Sequence, residues 1–181
     1  MSVVRTALQG VLLSAGLAFS SLALSQALPA DMQGKVDKYK QKLVEWAATP
    51  AVVAAVKDAN AKAAAPIPNA KWEELAENDA AVAAYTGNAV AKQLAKWEED
   101  KGINKLFLRD AKGNLIAASN KPLLFNNATR PAFANAIKGS PWAAGEVKPD
   151  PTTQKKSVQL GVPVLDGGKP VGVLHTAVEA E

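Results

Sequence analysis

The sequence predicts an α+β domain in which long N-terminal helices pack on a five-stranded antiparallel sheet. Residues 28–101 are rich in Ala, Lys and Glu and place apolar residues at helical spacing. Residues 102–181 instead carry short apolar runs that are separated by Gly-containing turns. Helices followed by strands are typical of an α+β domain, and 181 residues are enough for one such domain with a short appendage.

The helical half begins near Asp31, a plausible N-cap. One apolar stripe recurs at steps of three and four residues: Val36, Tyr39, Leu43 and Trp46. Thr49 and Pro50 start a second helix, since Pro is favourable at the first helical position. Asn69 caps a short helix over 70–77. Asp79 then caps a longer one, which Gly87 weakens and Gly102 ends.

The sheet half contains five predicted strands and one short helix. The strands are Ile103–Arg109, Leu115–Ser119, Trp142–Lys148, Ser157–Leu165 and Val171–Val178, and the helix is Pro131–Ile137. Hairpin turns are expected at 110–114 and 166–169, because both contain Gly where a positive φ is needed.

Composition excludes several classes of site. The chain has no Cys and one His, His175, so thiolate catalysis, disulfides and a histidine-rich metal site are excluded. It has no nucleotide-binding Gly motif and no Gly-x-Ser-x-Gly elbow, so we predict no enzyme, no cofactor and no metal site. The formal net charge is +4, but no basic patch is interleaved with aromatic residues, so we predict no nucleic-acid partner.

The first 27 residues have the pattern of a secretory signal peptide. A basic start at Met1–Arg5 precedes a diluted apolar run over 7–24, and the run exits through Ser25-Gln26-Ala27. We therefore expect cleavage after Ala27, a single mature domain over 28–181 and a periplasmic location. The alternative is an anchor helix that is retained, because about 18 apolar residues can nearly span a bilayer.

Several stretches resemble the extracytoplasmic, PAS-like sensor domains called Cache domains. They are Pro50–Val56, Leu106–Ser119, Val162-Pro163-Val164 and Gly172-Val173-Leu174, and the resemblance covers about residues 31–179. It implies a PAS-like sheet, with a ligand pocket between the sheet and the loops that follow the second strand. The usual task is to bind a small extracellular molecule. This chain ends at Glu181 without a signalling module, so we expect its bound state to pass to a separate, membrane-bound signalling protein.

The resemblance also implies candidate ligand-binding residues. Amino-acid-binding members carry an aromatic residue, an Arg five positions on and then a Trp–aromatic pair; Phe125, Arg130 and Phe133 match, whereas Ala132 replaces the Trp. One family Asp aligns near Asp150, and another aligns near Ala177 and is missing. Lys148 and Trp142 complete the predicted set.

The predicted ligand is a short carboxylate, such as an acetate-, propionate- or pyruvate-like molecule. A guanidinium group matches a carboxylate with two parallel hydrogen bonds, and flanking aromatic residues form a small apolar wall. An amino acid is the second option, which the missing Asp disfavours. His175 would sense pH if it lay beside the pocket. The alternative function is a protein-interaction module without a ligand, and an exposed apolar face along Val36–Trp46 would then indicate a homodimer through the N-terminal helix.

Overall fold

The computed structural model of the protein describes residues 27–62 and 65–180. The predicted signal peptide lies outside the described residues, apart from Ala27. The helices are α1 (Ala30–Ala47), α2 (Pro50–Lys62), α3 (Asn69–Glu74), α4 (Ala80–Thr86), α5 (Ala89–Glu98) and α6 (Pro131–Ala136). The strands are β1 (Ile103–Asp110), β2 (Leu115–Ala118), β3 (Trp142–Ala143), β4 (Lys148–Pro149), β5 (Lys156–Asp166) and β6 (Lys169–Glu179).

The sheet is antiparallel throughout, with strand order β2-β1-β6-β5-β3, and β4 also pairs with β5. This confirms the predicted α+β class. The predicted strand over 142–148 is wrong in one respect, since it forms two short strands along the same edge. Four residues between Ala143 and Lys148 face only two residues of β5, so the chain bulges away between the two pairings.

The N-terminal helices cover one face of the sheet. The predicted stripe is confirmed at Val36, Tyr39 and Leu43, which are buried in the same core as Leu108 and Leu174. Trp46 is only partly buried and stacks on Trp97 of α5, with ring centroids 4.9 Å apart. The stripe is therefore buried within the chain, and a homodimer through the N-terminal helix would need another face of that helix.

Several helix boundaries differ from the predicted ones, among them the end of α3, which is Glu74. The long helix expected after Asp79 is two helices, because Gly87 ends α4 and Asn88 caps α5 by accepting a hydrogen bond from the amide of Ala91. The side chain of Asn69 does not cap α3, since it exchanges hydrogen bonds of 2.8 and 2.9 Å with the backbone of Asn126. Pro29, not Asp31, precedes the first residue of α1.

The other face of the sheet is covered by α6 and by the chain segment 119–130. Gly161 of β5 makes room for α6, because a Cβ atom there would lie 2.4 Å from the carbonyl oxygen of Ala132. Phe133 and Ala136 of α6 pack against Val173 of β6 in a small apolar cluster. The segment 119–130 lies beside this cluster, over β1 and β2, and its carbonyl groups accept hydrogen bonds from Arg109 of β1.

Candidate functional site

Two strands place polar side chains on the face beneath the segment 119–130. Side chains alternate between the two faces of a strand, so Phe107 and Arg109 point away from the core face that holds Leu106 and Leu108. In the adjacent strand, His175 lies directly opposite Phe107. The rings of Phe107 and His175 are in contact, with centroids 5.1 Å apart.

Arg109 is buried, with 1% of its surface exposed. Its Nε donates to Nε2 of His175 at 2.8 Å. Nη1 donates to the carbonyl oxygens of Gly113 and Phe125, at 3.2 and 2.5 Å, and Nη2 donates to that of Leu124 at 3.1 Å. These partners are neutral, and no carboxylate in the described ranges forms an ion pair with Arg109.

The buried guanidinium is electrostatically costly. Burial lowers the pKa of Arg109 to about 9, and the neighbouring Asp110 offsets only part of this effect. At neutral pH the group therefore keeps its charge. The guanidinium cation of Arg109 is thus surrounded by the dipoles of carbonyl groups and of His175. A carboxylate beside it would interact strongly, because the dielectric constant of a buried site is low.

His175 is held in its neutral form. Its Nε2 accepts hydrogen bonds from Nε of Arg109 and from Nδ2 of Asn127, at 2.8 and 3.2 Å. An atom that accepts two N–H groups carries no proton, so the ring proton of the neutral form is on Nδ1. Burial and the charge of Arg109 both lower the pKa of His175 well below its usual range.

Asn127 contributes an unpaired acceptor. The residue is 6% exposed, and its Oδ1 has no hydrogen-bond partner among the described atoms. Its backbone amide is fixed by a hydrogen bond to the carbonyl oxygen of Gly113 at 3.1 Å. A buried acceptor without a donor costs about 1–3 kcal/mol, so a donor brought to this atom would be stabilised.

The sequence-predicted residues lie in separate places. Phe125 is buried in an aromatic cluster with Trp72 and Tyr85, whereas Phe133 is buried in the cluster under α6. Arg130 is exposed at the N-terminal end of α6, and its described contacts are main-chain hydrogen bonds. The two rings and the Arg130 side chain therefore do not form one pocket in this conformation.

The other predicted residues lie near the β5 edge. Asp150 forms a turn, in which its Oδ1 accepts hydrogen bonds from the backbone amides of Thr152 and Thr153, each at 2.9 Å. Lys148 is exposed and pairs with Glu146 at 2.5 Å. Trp142 is partly buried in β3, where it pairs with Gly161. Their role in ligand binding remains a prediction.

Sequence reasoning overlooked Arg109. The run Leu106-Phe107-Leu108 is apolar on both sides of the strand, which indicates burial on both faces. Arg109 follows directly and shares a face with Phe107, so the pattern does place a cation in the interior.

A groove of about 560 Å³ lies next to this site. Tyr85, Leu115 and Phe125 are among the residues of its apolar wall, and side chains of both charges, such as Asp58 and Lys112, line it as well. Phe125 lines the groove, and its carbonyl oxygen accepts the 2.5 Å hydrogen bond from Arg109. Phe125 therefore connects the groove to the buried cluster of Arg109, His175 and Asn127.

The described part of the chain has neither a metal-binding cluster nor a membrane-spanning helix. Residues 27–62 and 65–180 contain no group of three or more His, Asp or Glu side chains that could hold a metal ion. None of the helices in these ranges is both long enough and apolar enough to cross a bilayer.

The sequence matches no family model and no curated protein. Among solved structures, the ligand-binding domain of the Pseudomonas aeruginosa PAO1 amino acid chemoreceptor PctC, in complex with GABA, is similar at 15% identity and a TM-score of 0.50. The match covers 83% of this chain and 56% of that one. The sensor domain of the Vibrio cholerae histidine kinase DctB matches at 19% identity and a TM-score of 0.43, over 82% of this chain and 57% of that one. The chain thus spans less than two thirds of the length of these domains. Its likeness to the PctC domain shows the PAS-like sensor-domain fold that the resemblance to Cache domains implies.

Proposed function

We propose that the protein is a sensor module that binds a small organic acid between the sheet and the segment 119–130. The observation that carries this proposal is the buried charge of Arg109, which has only neutral partners in the described chain. The resemblance to Cache domains implies a ligand pocket in the same region, between the sheet and the loops after the second strand. A carboxylate group would give Arg109 the negatively charged partner that it does not have in the described chain.

The guanidinium group also has a free donor at its more accessible end. A guanidinium carries five N–H groups, and four of those of Arg109 donate within the described chain. The fifth is on Nη2, whose hydrogen bond to Leu124 is only partly buried. A ligand that enters beside Leu124 would reach this donor first.

Arg130 is the other candidate for the carboxylate partner. Its exposed side chain is well hydrated, so an ion pair there would contribute little, typically below about 1 kcal/mol. The geometry favours Arg109 as the main anchor, with Arg130 attracting the anion at the surface. An experiment that separates the two arginines also tests the proposal as a whole.

The remaining parts of the proposal follow from the sequence. We propose a cleavable signal peptide over residues 1–27, a periplasmic location and a separate membrane-bound signalling protein as the partner. The chemoreceptor and kinase domains with a similar fold are parts of signalling receptors, in keeping with such a partner.

The alternative is an interaction module that binds no ligand. It is favoured by the three main-chain carbonyl groups that already accept from Arg109, because they would suffice to fix the loop to the sheet. In that case Arg109 would act only as a clamp, and added carboxylates would leave the stability of the protein unchanged.

A thermal-shift screen of the purified protein against short carboxylates and amino acids distinguishes the two functions. A ligand at 100 times its dissociation constant adds about 2.7 kcal/mol of stability, which raises the melting temperature of a domain of this size by about 5–10 °C. Chloride at the same ionic strength is the control for a general salt effect.

Two variants locate the anchor. Arg109→Gln keeps hydrogen-bond donors but removes the charge, so we expect it to abolish the shift in melting temperature. Arg130→Ala should weaken the affinity for the carboxylate by a few-fold at most. The opposite ranking would make Arg130 the anchor. If no compound in a broad panel shifts the folded wild-type protein, the interaction module replaces the sensor.

A further inference from the structure

We propose that the groove of about 560 Å³ binds an uncharged aromatic molecule with one hydrogen-bond acceptor, which the hydroxyl group of Tyr85 contacts. This second site is separate from the organic-acid site proposed above, because neither Arg109 nor Arg130 is among the residues that line the groove. The volume lies in the range of about 300–1,000 Å³ that is typical of small-molecule sites. Four features of the groove point to this ligand: its aromatic wall, an unpaired hydroxyl group, paired amide side chains and balanced charges.

One wall of the groove belongs to an aromatic cluster. Trp72 and Phe125 are buried, and the partly exposed ring of Tyr85 packs on both of them. The ring centroids are 5.8 Å apart for Tyr85 and Trp72 and 5.1 Å apart for Tyr85 and Phe125, with the ring planes at 83° in each pair. Tyr85 and Phe125 both line the groove. An aromatic ligand would extend this cluster, and contacts between aromatic rings contribute beyond the burial of apolar area.

The hydroxyl group of Tyr85 needs an acceptor. Within the described ranges, the side chain of Tyr85 makes aromatic contacts and no hydrogen bond. Burial raises the pKa of Tyr85 above its usual value of 10.0, so the hydroxyl group keeps its proton at neutral pH and can donate. An acceptor atom on the ligand would therefore gain a hydrogen bond in the groove.

The amide side chains that line the groove are already paired. Nδ2 of Asn126 donates to Oδ1 of Asn114 at 2.7 Å, and Nδ2 of Asn114 donates to Oδ2 of Asp110 at 2.9 Å. The side chain of Asn60 exchanges hydrogen bonds of 2.8 and 3.0 Å with the backbone of β6 and of the turn between β1 and β2. A ligand would have to break these hydrogen bonds to use the amides, whereas the hydroxyl group of Tyr85 is free to donate.

The charged side chains of the groove balance each other. Asp58 and Asp110 carry negative charges, and Lys62 and Lys112 carry positive ones. Asp58 and both lysines are exposed, so water screens their interaction with a ligand. An ion would gain little net attraction here and would lose hydration against the apolar wall. The groove therefore favours an uncharged ligand.

An NMR titration of the purified full-length chain at pH 7.5, followed by the backbone amide signals of β2 and of Phe125, tests the proposal with three probes. Acetophenone has one aromatic ring and one acceptor oxygen. Ethylbenzene has nearly the same shape without the acceptor, and benzoate carries a negative charge on the same ring. We expect acetophenone to bind about three- to tenfold more tightly than either of the other two, as one hydrogen bond typically provides.

Three variants locate the site. Tyr85→Phe removes only the hydroxyl group, so we expect it to weaken acetophenone to the affinity of ethylbenzene and to leave ethylbenzene within about twofold. Ala59→Leu fills the groove from α2, and we expect it to weaken acetophenone more than tenfold. Ala61→Leu changes an exposed position of the same helix that does not line the groove, so this matched control should bind acetophenone as the wild-type protein does. The melting temperature checks that each variant is folded.

Several results would overturn the proposal. Equal binding of acetophenone and ethylbenzene would remove the role of the Tyr85 hydroxyl group, and acetophenone binding that Ala59→Leu leaves intact would place the ligand elsewhere. Benzoate that binds as tightly as acetophenone, and is likewise lost in Ala59→Leu, would show that the groove does not select an uncharged ligand. The absence of binding by all three probes up to their solubility limits would also refute it. None of these results bears on the organic-acid site, which the carboxylate screen and Arg109→Gln test separately.

Discussion

Protonation of His175 should control the stability of the protein in mildly acidic solution. It is the only His of the chain, and in the folded state its Nε2 accepts hydrogen bonds from Arg109 and Asn127. A proton on this atom would break both hydrogen bonds and would place a second cation against the guanidinium group. The folded state therefore resists protonation, and the pKa of His175 lies well below its usual value of 6.5 because of burial and the charge of Arg109.

The sign of the pH effect follows from proton linkage. In the unfolded chain His175 takes up a proton as the pH falls through 6.5, whereas in the folded chain it stays neutral. The unfolded state then binds more protons, so the free energy of unfolding falls as the pH falls. The limiting slope for one group is about 1.4 kcal/mol per pH unit, and the loss between pH 8 and pH 5 is therefore about 2 kcal/mol.

Acidic residues act in a lower pH range. The hydrogen bonds that Lys42 and Tyr39 donate to Asp100 lower the pKa of this carboxyl group from 3.8 to about 2. The stability that this carboxylate contributes is present above its unfolded pKa of 3.8 and is lost as the pH falls towards 2. The range between pH 5 and 6.5 thus reports mainly on His175.

Urea unfolding followed by tryptophan fluorescence, at pH values from 5 to 8, measures this effect. The matched variant is His175→Gln, whose amide oxygen can accept from Arg109 but cannot take up a proton in this range. We expect the wild-type free energy of unfolding to fall by about 2 kcal/mol from pH 8 to pH 5 and that of the variant to stay level above pH 5. A wild-type profile as flat as that of the variant would refute the assignment of His175 as a neutral, buried acceptor.

Two further predictions concern the same face of the sheet. Asn127→Asp places a carboxylate against His175 and beside Arg109; we expect it to raise the pKa of His175, followed by NMR of this single His, and to abolish binding of added carboxylates. An unchanged His pKa would contradict the geometry. Gly161→Ala would place a Cβ atom 2.4 Å from the Ala132 carbonyl oxygen, and we expect it to lower the free energy of unfolding in urea by about 1–3 kcal/mol. Gly34→Ala, at an exposed helix position with no atom within 4 Å, is the control and should add about 0.5–1 kcal/mol; equal effects of the two changes would argue against close packing at position 161.

The architecture could be predicted because hydrophobic periodicity reports burial directly. The stripe that includes Val36 and Leu43 has helical spacing, and the runs around Leu108, Val162 and Leu174 have the composition of buried strands. Local breaks were harder to predict. Gly87 is tolerated in many helices, and the break there depends on the Asn88 side chain, which also donates to the carbonyl oxygen of Ile116 in β2. A contact across the fold therefore decides that boundary.

The predicted site residues lie in separate places, and their role in ligand binding stays a prediction. The resemblance implies a ligand pocket between the sheet and the loops after the second strand, and it points to Arg130 within the segment 119–130. Arg130 is exposed, whereas the buried cation comes from β1. A family pattern identifies residues by their spacing within one segment of the chain. The burial of Arg109 depends instead on three carbonyl groups and on His175, which is 66 residues away along the chain. Such a distant pairing cannot be read from local spacing.

The contacts of Arg109 also explain how a bound anion would be felt elsewhere in the molecule. The carbonyl oxygens of Leu124 and Phe125 accept hydrogen bonds from the same guanidinium group whose free Nη2 hydrogen would bind the proposed carboxylate, so an anion there would act on the charge that holds this loop. The ring of Phe125 packs against Trp72 of α3, and Nε1 of Trp72 donates to the carbonyl oxygen of Pro122 at 2.8 Å. A loop that shifts at Arg109 must therefore shift against a helix on the outside of the domain. Burial of the Arg109 charge is costly, and an anion bound there would offset this cost. Arg109 is therefore also the residue that would link the proposed ligand binding to α3.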